Sequence, residues 1–408
     1  MLFKKTSLAV AVLAGLGLST NVFAQENFNA RVKAMGGAGT AIADYDSSAN
    51  FNPALVAGSS KNDDFAFNLS FGADVNDRED VYENVDDFLD GVEDLEDEYS
   101  LDKANELIGY AEEADRKSVF VEGGGTAFLA FPNKWVNVSL YYDVYGAGDA
   151  FLDYDETDSI QLMLPGFQEE NLNSRGAVVG YDVEELGLTF AKELNIPYMG
   201  NTDVGFTTKS QRVKTYAYSE KVSDFEASDF DKDAYSTDDS NRNIDFGIRK
   251  NINKNWAFAL TGKNLIKEEY QTVDLVLVDD LGGTETVEGA SIQIEPRYVA
   301  GVGYQTDSGV LKFAVDGDLN STEEIVYENN VLSERDFEKQ FVRAGVEIGH
   351  KNVAQVRFGY RHDLKDNFED VATIGLGISP FNVVNVDVVG QYGREQSYGV
   401  GLQLGARF

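Results

Sequence analysis

The 408 residues contain no cysteine, which removes thiol catalysis, disulfide frameworks, thiolate zinc sites and lipoprotein anchoring together. Basic residues are scarce. Against 34 Lys and Arg stand 70 Asp and Glu, a formal net charge of −36, so the basic face that a nucleic-acid partner needs is missing. Histidine is limited to His350 and His362, and tryptophan to Trp135 and Trp256. Beyond the first two dozen residues no stretch approaches the roughly 20 apolar residues of a membrane-spanning helix. The acidic surface suits the cation-rich exterior of a lipopolysaccharide membrane or a salty habitat, and general solubility equally.

What is present begins with an address. Lys4 and Lys5 precede an apolar stretch from Leu8 to Leu18, too short to cross a bilayer, and Val22-Phe23-Ala24 offers small residues for a signal peptidase. Residues 1–24 are expected to be a cleaved signal peptide, and the exported chain is either soluble in the periplasm or threaded through the outer membrane as strands.

The strand signal is strongest at the end. Tyr398, Val400, Leu402, Leu404, Ala406 and Phe408 alternate with Gly, Gln and Arg. A period of two, closing on a terminal aromatic, is the pattern of an outer-membrane barrel wall with one face in lipid and the other toward a polar interior. Leu402, Leu404 and Phe408 are its assembly signal. The same alternation runs through Val136–Val144, Leu311–Asp316, Val356–Arg361 and Val384–Val388. Tight turns are expected near 132–134, 195–201, 250–255, 305–309, 349–352 and 380–383. Longer polar connections are expected near 76–117, 147–175, 225–240, 279–287, 325–337, 363–370 and 394–397. Six short and seven long connections make fourteen antiparallel strands with both termini in the periplasm. The expected fold is all-β, a transmembrane barrel over residues 61–408. Both tryptophans lie beside short turns, where an aromatic girdle stands.

Two segments break the alternation. Within 76–115 the only basic residues are Arg78 and Lys103, and Val81, Val85, Phe88, Val92, Leu95 and Tyr99 keep helical spacing. Ser100 caps a second helix with Ala104, Ile108 and Ala111 on one face, so an acidic helical hairpin is expected in the first external loop. Residues 25–60 cluster small side chains and end on an Asn-Pro turn. Such a segment packs inside a barrel as a plug.

The run Ala30-Arg-Val-Lys-Ala-Met-Gly-Gly-Ala-Gly-Thr-Ala-Ile-Ala-Asp44, followed by Asn50-Phe-Asn-Pro-Ala-Leu55, resembles the head of outer-membrane proteins of the long-chain fatty-acid transporter (FadL) type. More closely it resembles the TraF-like branch named for conjugal transfer. Arg357–His362, Thr373–Phe381 and Gly401–Phe408 fit the same branch. The thioredoxin-like periplasmic protein that shares the name is a different one, since this chain has no Cys. The resemblance implies a fourteen-stranded barrel, a hydrophobic ligand near the outer mouth, and a movable hatch to which Met35, Gly36, Gly37, Gly39, Asn52, Pro53 and Ala54 correspond.

Chemistry is thin. His362 beside Asp363 could activate water at the outer rim, but acidic residues crowd these loops and a solvated rim histidine is the plainer account. No Ser is marked for a lipase-like pairing. Asp229, Asp231 and Asp233 alternate like the start of a calcium loop, yet Ala234 stands where Gly is needed and Ser240 where Glu is needed. Asp316 and Asp318 most simply line a lumen. No enzyme, cofactor or metal site is expected. The expected partners are outer-membrane lipid and lipopolysaccharide, the assembly machinery, and a small hydrophobic ligand. Two readings follow: a hatch-gated barrel that binds or passes small hydrophobic molecules, or a structural and interaction protein of the outer membrane linked to conjugal transfer. A hydrophobic pocket above the hatch favours the first, and a sealed lumen of paired charges the second.

Overall fold

The computed structural model describes residues 28–45, 48, 51–58, 65–77, 80–226, 229–230, 232–278, 283–327, 336–350, 353–380, 383–394 and 396–408. The expected signal peptide and Asp231 lie outside them.

Fourteen strands form a closed barrel in chain order. They are β1 (Ala66–Asn76), β2 (Ser118–Phe131), β3 (Asn137–Asp153), β4 (Arg175–Ile196), β5 (Gly200–Lys221), β6 (Ser236–Asn251) and β7 (Trp256–Lys263). The wall continues through β8 (Arg297–Gln305), β9 (Leu311–Asp318), β10 (Phe341–His350), β11 (Ala354–Asp363), β12 (Val371–Ile378), β13 (Val384–Gly393) and β14 (Ser397–Arg407). Neighbours are antiparallel throughout, and β1 closes on β14 with Ala66 opposite Arg407 and Asn76 opposite Ser397. Closure leaves no free strand edge, which a wall in lipid requires. All six expected short turns lie between strands at one end of the barrel.

Outward-facing residues at mid-height are large and apolar, among them Phe71, Leu186, Phe206, Phe258, Phe313, Ile374 and Leu402. Inward residues on the same strands are polar and buried, such as Asn68, Thr207, Asn243, Asp316 and Arg357. This inverts a water-soluble barrel and is the distribution expected of one standing in lipid. At the short-turn end Trp256 packs on Tyr304 with centroids 4.9 Å apart, and Phe65 packs on Phe131 at 5.5 Å.

The wall is not of even height. β4 and β5 have 22 residues each, about twice the 9–11 that cross a membrane. Their upper parts are covered on both faces. On β4, Ala177, Val179, Tyr181 and Val183 face an apolar core inside the lumen, while Val178 faces a second core on the outside. That outer core is built by helices. After a short helical turn α1 (Ala30–Lys33), the helices α2 (Val81–Asp97) and α3 (Leu101–Ala114) follow β1, and α4 (Asp158–Leu162) follows β3. Val85, Phe88, Val92, Leu107 and Ile108 pack with Val119, Leu152 and Tyr218 of the strands. Gly91 allows α2 and α3 to meet, since a Cβ there would overlap Leu107. The Ser100 hydroxyl accepts from the Lys103 amide at 3.5 Å at the start of α3.

The reading of 147–175 as a loop needs correction. β3 runs on to Asp153, and the connection proper is 154–174. Likewise the loop expected at 279–287 spans 264–296. It carries strands at Glu268–Gln271, Leu275–Val278, Thr284–Val287 and Ser291–Ile294 that fold into the mouth.

Cysteines introduced at Asp90 and Ser159 on whole cells should react with a bulky membrane-impermeant maleimide. Cysteines at Asn133 and Lys254 should react only after the outer membrane is opened. The absence of native cysteine makes the readout clean, and the opposite labelling pattern would mean an inverted barrel.

Candidate functional site

The N-terminal segment lies inside the barrel at the short-turn end. Its backbone follows a track of small wall residues that are cross-strand partners: Gly359 faces Gly345, Gly345 faces Ala314, Ala314 faces Gly303, and Gly303 faces Ala257. Farther round, Gly247 faces Gly205. A Cβ at Gly345 would overlap Met35, at Gly359 the Gly36 amide, at Gly247 Asn52, and at Gly205 the backbone of Pro53. Without side chains the wall admits the segment at backbone contact distance. Gly36 and Gly37 themselves take φ values of +68° and +86°, which other residues resist.

Polar bonds fix the segment on this track. The Gly39 and Thr40 amides both donate to Asp316 Oδ2 at 2.8 Å. Gly36 donates to the Thr373 hydroxyl at 3.1 Å, and that hydroxyl donates to the Ala34 carbonyl at 3.1 Å. Asn52, fully buried, donates to the carbonyls of Thr40 (3.1 Å) and Ile248 (3.3 Å) and accepts from the Ala54 amide at 2.9 Å. Every residue that the resemblance assigns to a hatch therefore sits in this one layer. The wall residues opposite them had no sequence signal, because an isolated strand glycine does not reveal its neighbour.

Charges surround the layer. On its short-turn side Arg31 pairs with Asp44 and, at 3.0 Å, with Glu347; Lys312 reaches Glu347 at 3.2 Å; and Arg407 reaches Asp44 at 2.7 Å. Arg357, buried without exposure, binds Glu347 at 2.7 Å and Asp387 at 2.5 Å. Burial opposes ionisation of Asp44, but Arg31, Lys312 and Arg407 outweigh it and hold the carboxyl well below the usual carboxylate range. Toward the long loops Arg297 and Arg343 share Asp318 at 3.1 and 2.9 Å, Lys33 binds Asp74 at 2.5 Å, and Lys209 binds Asp245 at 3.0 Å.

Two cavities flank the layer. The one at the short-turn end measures about 590 Å³ and is lined by Asp44, Tyr45, Arg249, Lys312 and Arg407 among others. The one toward the long loops measures only about 60 Å³. Above it the lumen is filled by an apolar cluster. Phe28 belongs to the N-terminal segment, Phe120, Tyr145 and Tyr181 to the wall, and Phe337, Phe341 and Phe368 to the long-loop end. The structure thus holds elements of both readings: an apolar column, which is packed rather than open, and a layer of paired charges beneath it.

The other sequence candidates do not assemble. His362 pairs with Asp370 at 2.6 Å and not with Asp363. The Asp363 carboxylate instead accepts from the Gln340, Asn367 and Phe368 amides, which ties it to a turn. Asp229 pairs with Lys232 at 2.5 Å, and Asp233 opens a separate 3₁₀ turn. Among the described residues no three metal-ligating side chains converge. Leu402, Leu404 and Phe408 are all exposed on the outward face of the last strand or at its end.

Solved structures share this architecture. The chain is similar to a deletion mutant of the monoaromatic hydrocarbon channel TodX, with TM-score 0.58 and 12% identity over 94% of this chain and 99% of that one. It is similar to the monoaromatic hydrocarbon channel CymD, with TM-score 0.54 and 10% identity over 95% and 99%. It is also similar to a Pseudomonas aeruginosa FadL homologue, with TM-score 0.53 and 10% identity over 95% and 99%. At these identities the likeness is one of fold. No curated protein sequence matches. The model of the F plasmid transfer operon TraF protein matches residues 49–318, well over half of the chain, and the protein belongs to that family.

Proposed function

We propose that the protein is a non-enzymatic outer-membrane barrel that binds or passes small hydrophobic molecules, with residues 28–58 as its gate. The observation that carries this is the apolar column, which runs down the lumen from the long loops and ends on Phe28 of the plug itself. An apolar interior above a plug held by individually breakable polar bonds suits a solute that is poorly soluble in water. Because the column is packed, passage requires the segments 264–296 and 319–340 to rearrange. In this reading the outward belt meets lipid and lipopolysaccharide, and the assembly machinery recognises the last strand through Leu402, Leu404 and Phe408.

Toluene is the natural probe, since a structure of similar fold is that of the Pseudomonas putida toluene transporter TodX. Cells carrying the protein should accumulate labelled toluene at low external concentration faster than cells lacking it. Equal rates would count against the passage reading.

The acidic helices α2 and α3 support a second reading. They stand on the outside of the wall, away from the lumen, and the family is named for a transfer operon. If deleting residues 80–115 abolishes plasmid transfer and leaves toluene accumulation unchanged, the interaction role is the physiological one.

A further inference from the structure

The connection 154–174, on the outside of the wall, is firmly built yet leaves large apolar side chains in water. Leu162, Phe167 and Leu172 anchor it in the outer core. The buried Asp158 carboxylate accepts from the Asn173 and Ser174 amides and from the Ser174 hydroxyl. Between these anchors Leu164-Pro165-Gly166-Phe167 makes a tight turn, in which the Phe167 amide donates to the Leu164 carbonyl at 3.1 Å and Gly166 takes φ +83°. Proline followed by glycine suits a turn whose third residue has positive φ. The turn sends Phe167 inward and leaves Ile160, Met163 and Leu164 outside, at 64, 43 and 50% exposure. The Tyr99 hydroxyl donates to the Met163 carbonyl at 2.6 Å, which sets this turn beside the α2–α3 corner, where Leu101 is 55% exposed. Apolar side chains held outward on a rigid base form a contact surface.

Charge decides what covers it. Residues 80–115 hold 15 acidic side chains and residues 154–174 hold five, against Lys103 as the only basic one. Asp97, Glu98 and Asp102 at the corner, and Glu156 and Glu170 on the connection, are exposed. A lipopolysaccharide surface is itself anionic, and a second copy of this chain brings a net charge of −36, so both are repelled where a cation is drawn in. We propose that this patch docks a basic amphipathic segment of another polypeptide. Its apolar side covers Leu101, Ile160, Met163 and Leu164, and its Lys and Arg side chains meet the surrounding carboxylates. The proposal rests on the interaction reading of the acidic helices and adds to it the chemistry of the partner.

The test is fluorescence anisotropy on the full chain in zwitterionic nanodiscs, with empty nanodiscs as the blank. The probes are labelled amphipathic helices about four turns long, one of Leu and Lys and one of Leu and Glu, with an all-Lys peptide beside them. The Leu/Lys helix is expected to bind about tenfold or more tighter than either other probe, and to weaken as salt rises. Ile160→Ser, Met163→Ser and Leu164→Ser combined should lower its affinity about tenfold or more, the scale of one large apolar side chain left uncovered. Leu164→Met should retain it, and Asp97→Asn, Glu98→Gln and Asp102→Asn combined should flatten the salt dependence. All-Lys peptide binding as tightly as the Leu/Lys helix, or affinity unchanged in the triple serine variant, overturns the proposal. So does attachment to lipopolysaccharide vesicles, or dimerisation, that the same variant abolishes, since a membrane or a second copy would then be the occupant. Binding on purified protein is separable from plasmid transfer. A Leu/Lys helix captured by a protein whose 80–115 deletion leaves transfer intact would sink the link to transfer and spare this proposal, and the reverse result would do the opposite.

Discussion

Deleting residues 27–58 is expected to turn a closed barrel into a conducting one. The wall itself should survive, because its inward face is already polar: Asp316, Glu347, Arg357 and Asp387 would exchange a plugged lumen for a wet one. What is lost is the layer spanning the short-turn end, from Ala34 on Gly375 to Pro53 on Gly205. Planar-bilayer recordings should move from background to discrete steps of the kind that water-filled barrels give. A companion variant needs no deletion. Gly359→Val places a branched side chain where the Gly36 amide lies, so the plug cannot seat and the same steps should appear in a full-length chain. If both proteins fold, shown by heat-modifiable mobility on gels, and neither conducts above the parent, the segment is not a plug.

The second large effect is thermodynamic. Arg357→Ala removes a fully buried guanidinium that binds Glu347, Asp387 and, at 3.3 Å, the Gln355 side chain. Glu347 keeps Arg31 and Lys312. Among the described residues Asp387 keeps a 3.4 Å contact from the Asn385 side chain, and is left as a poorly matched buried charge. Breaking a buried ion pair from one side costs about 3–5 kcal/mol, readable as a shift in the urea midpoint for unfolding in detergent or liposomes. Arg357→Lys should recover part of this, because it keeps the charge but not the fork that serves two carboxylates at once. A loss under about 1 kcal/mol in Arg357→Ala would mean that water replaces the guanidinium and that this side of the lumen is not dry.

The wall was legible wherever its two sides differ. Tyr398–Phe408 and Leu311–Asp316 alternate because one side meets lipid and the other a polar lumen, and the six turns fall where alternation stops. Legibility failed where both sides are apolar. Ala147–Asp153 and Gly176–Val183 are strand, yet they stand between two hydrophobic cores and lose the period-two signature. The lumen was harder still. Arg31 and Glu347 are 316 residues apart, and nothing local marks them as partners. Sequence singled out the N-terminal half of the contact with the wall, Met35 to Gly39 and Asn52 to Ala54. The matching glycines are scattered over five strands, each unremarkable by itself, and only register aligns them.

The seam between β1 and β14 sets an order of events. Phe65 and Phe408 exchange backbone bonds at 3.0 and 3.4 Å, and their rings stack with centroids 6.4 Å apart. Nearly the entire polypeptide separates these two residues, so the last contact to form is also the one with the longest loop to close. The segment that must end up inside is the first of the described chain to be made, and the strand that shuts it in is the last. A sheet that closes last at this seam would have its N-terminal segment beside an open lumen face until then. That arm can settle against Gly375, Gly359 and Gly345 while the sheet is still open, before β14 meets β1. A barrel stalled before zippering would expose that arm to periplasmic proteases, and trimming of the N-terminus would then time the closure.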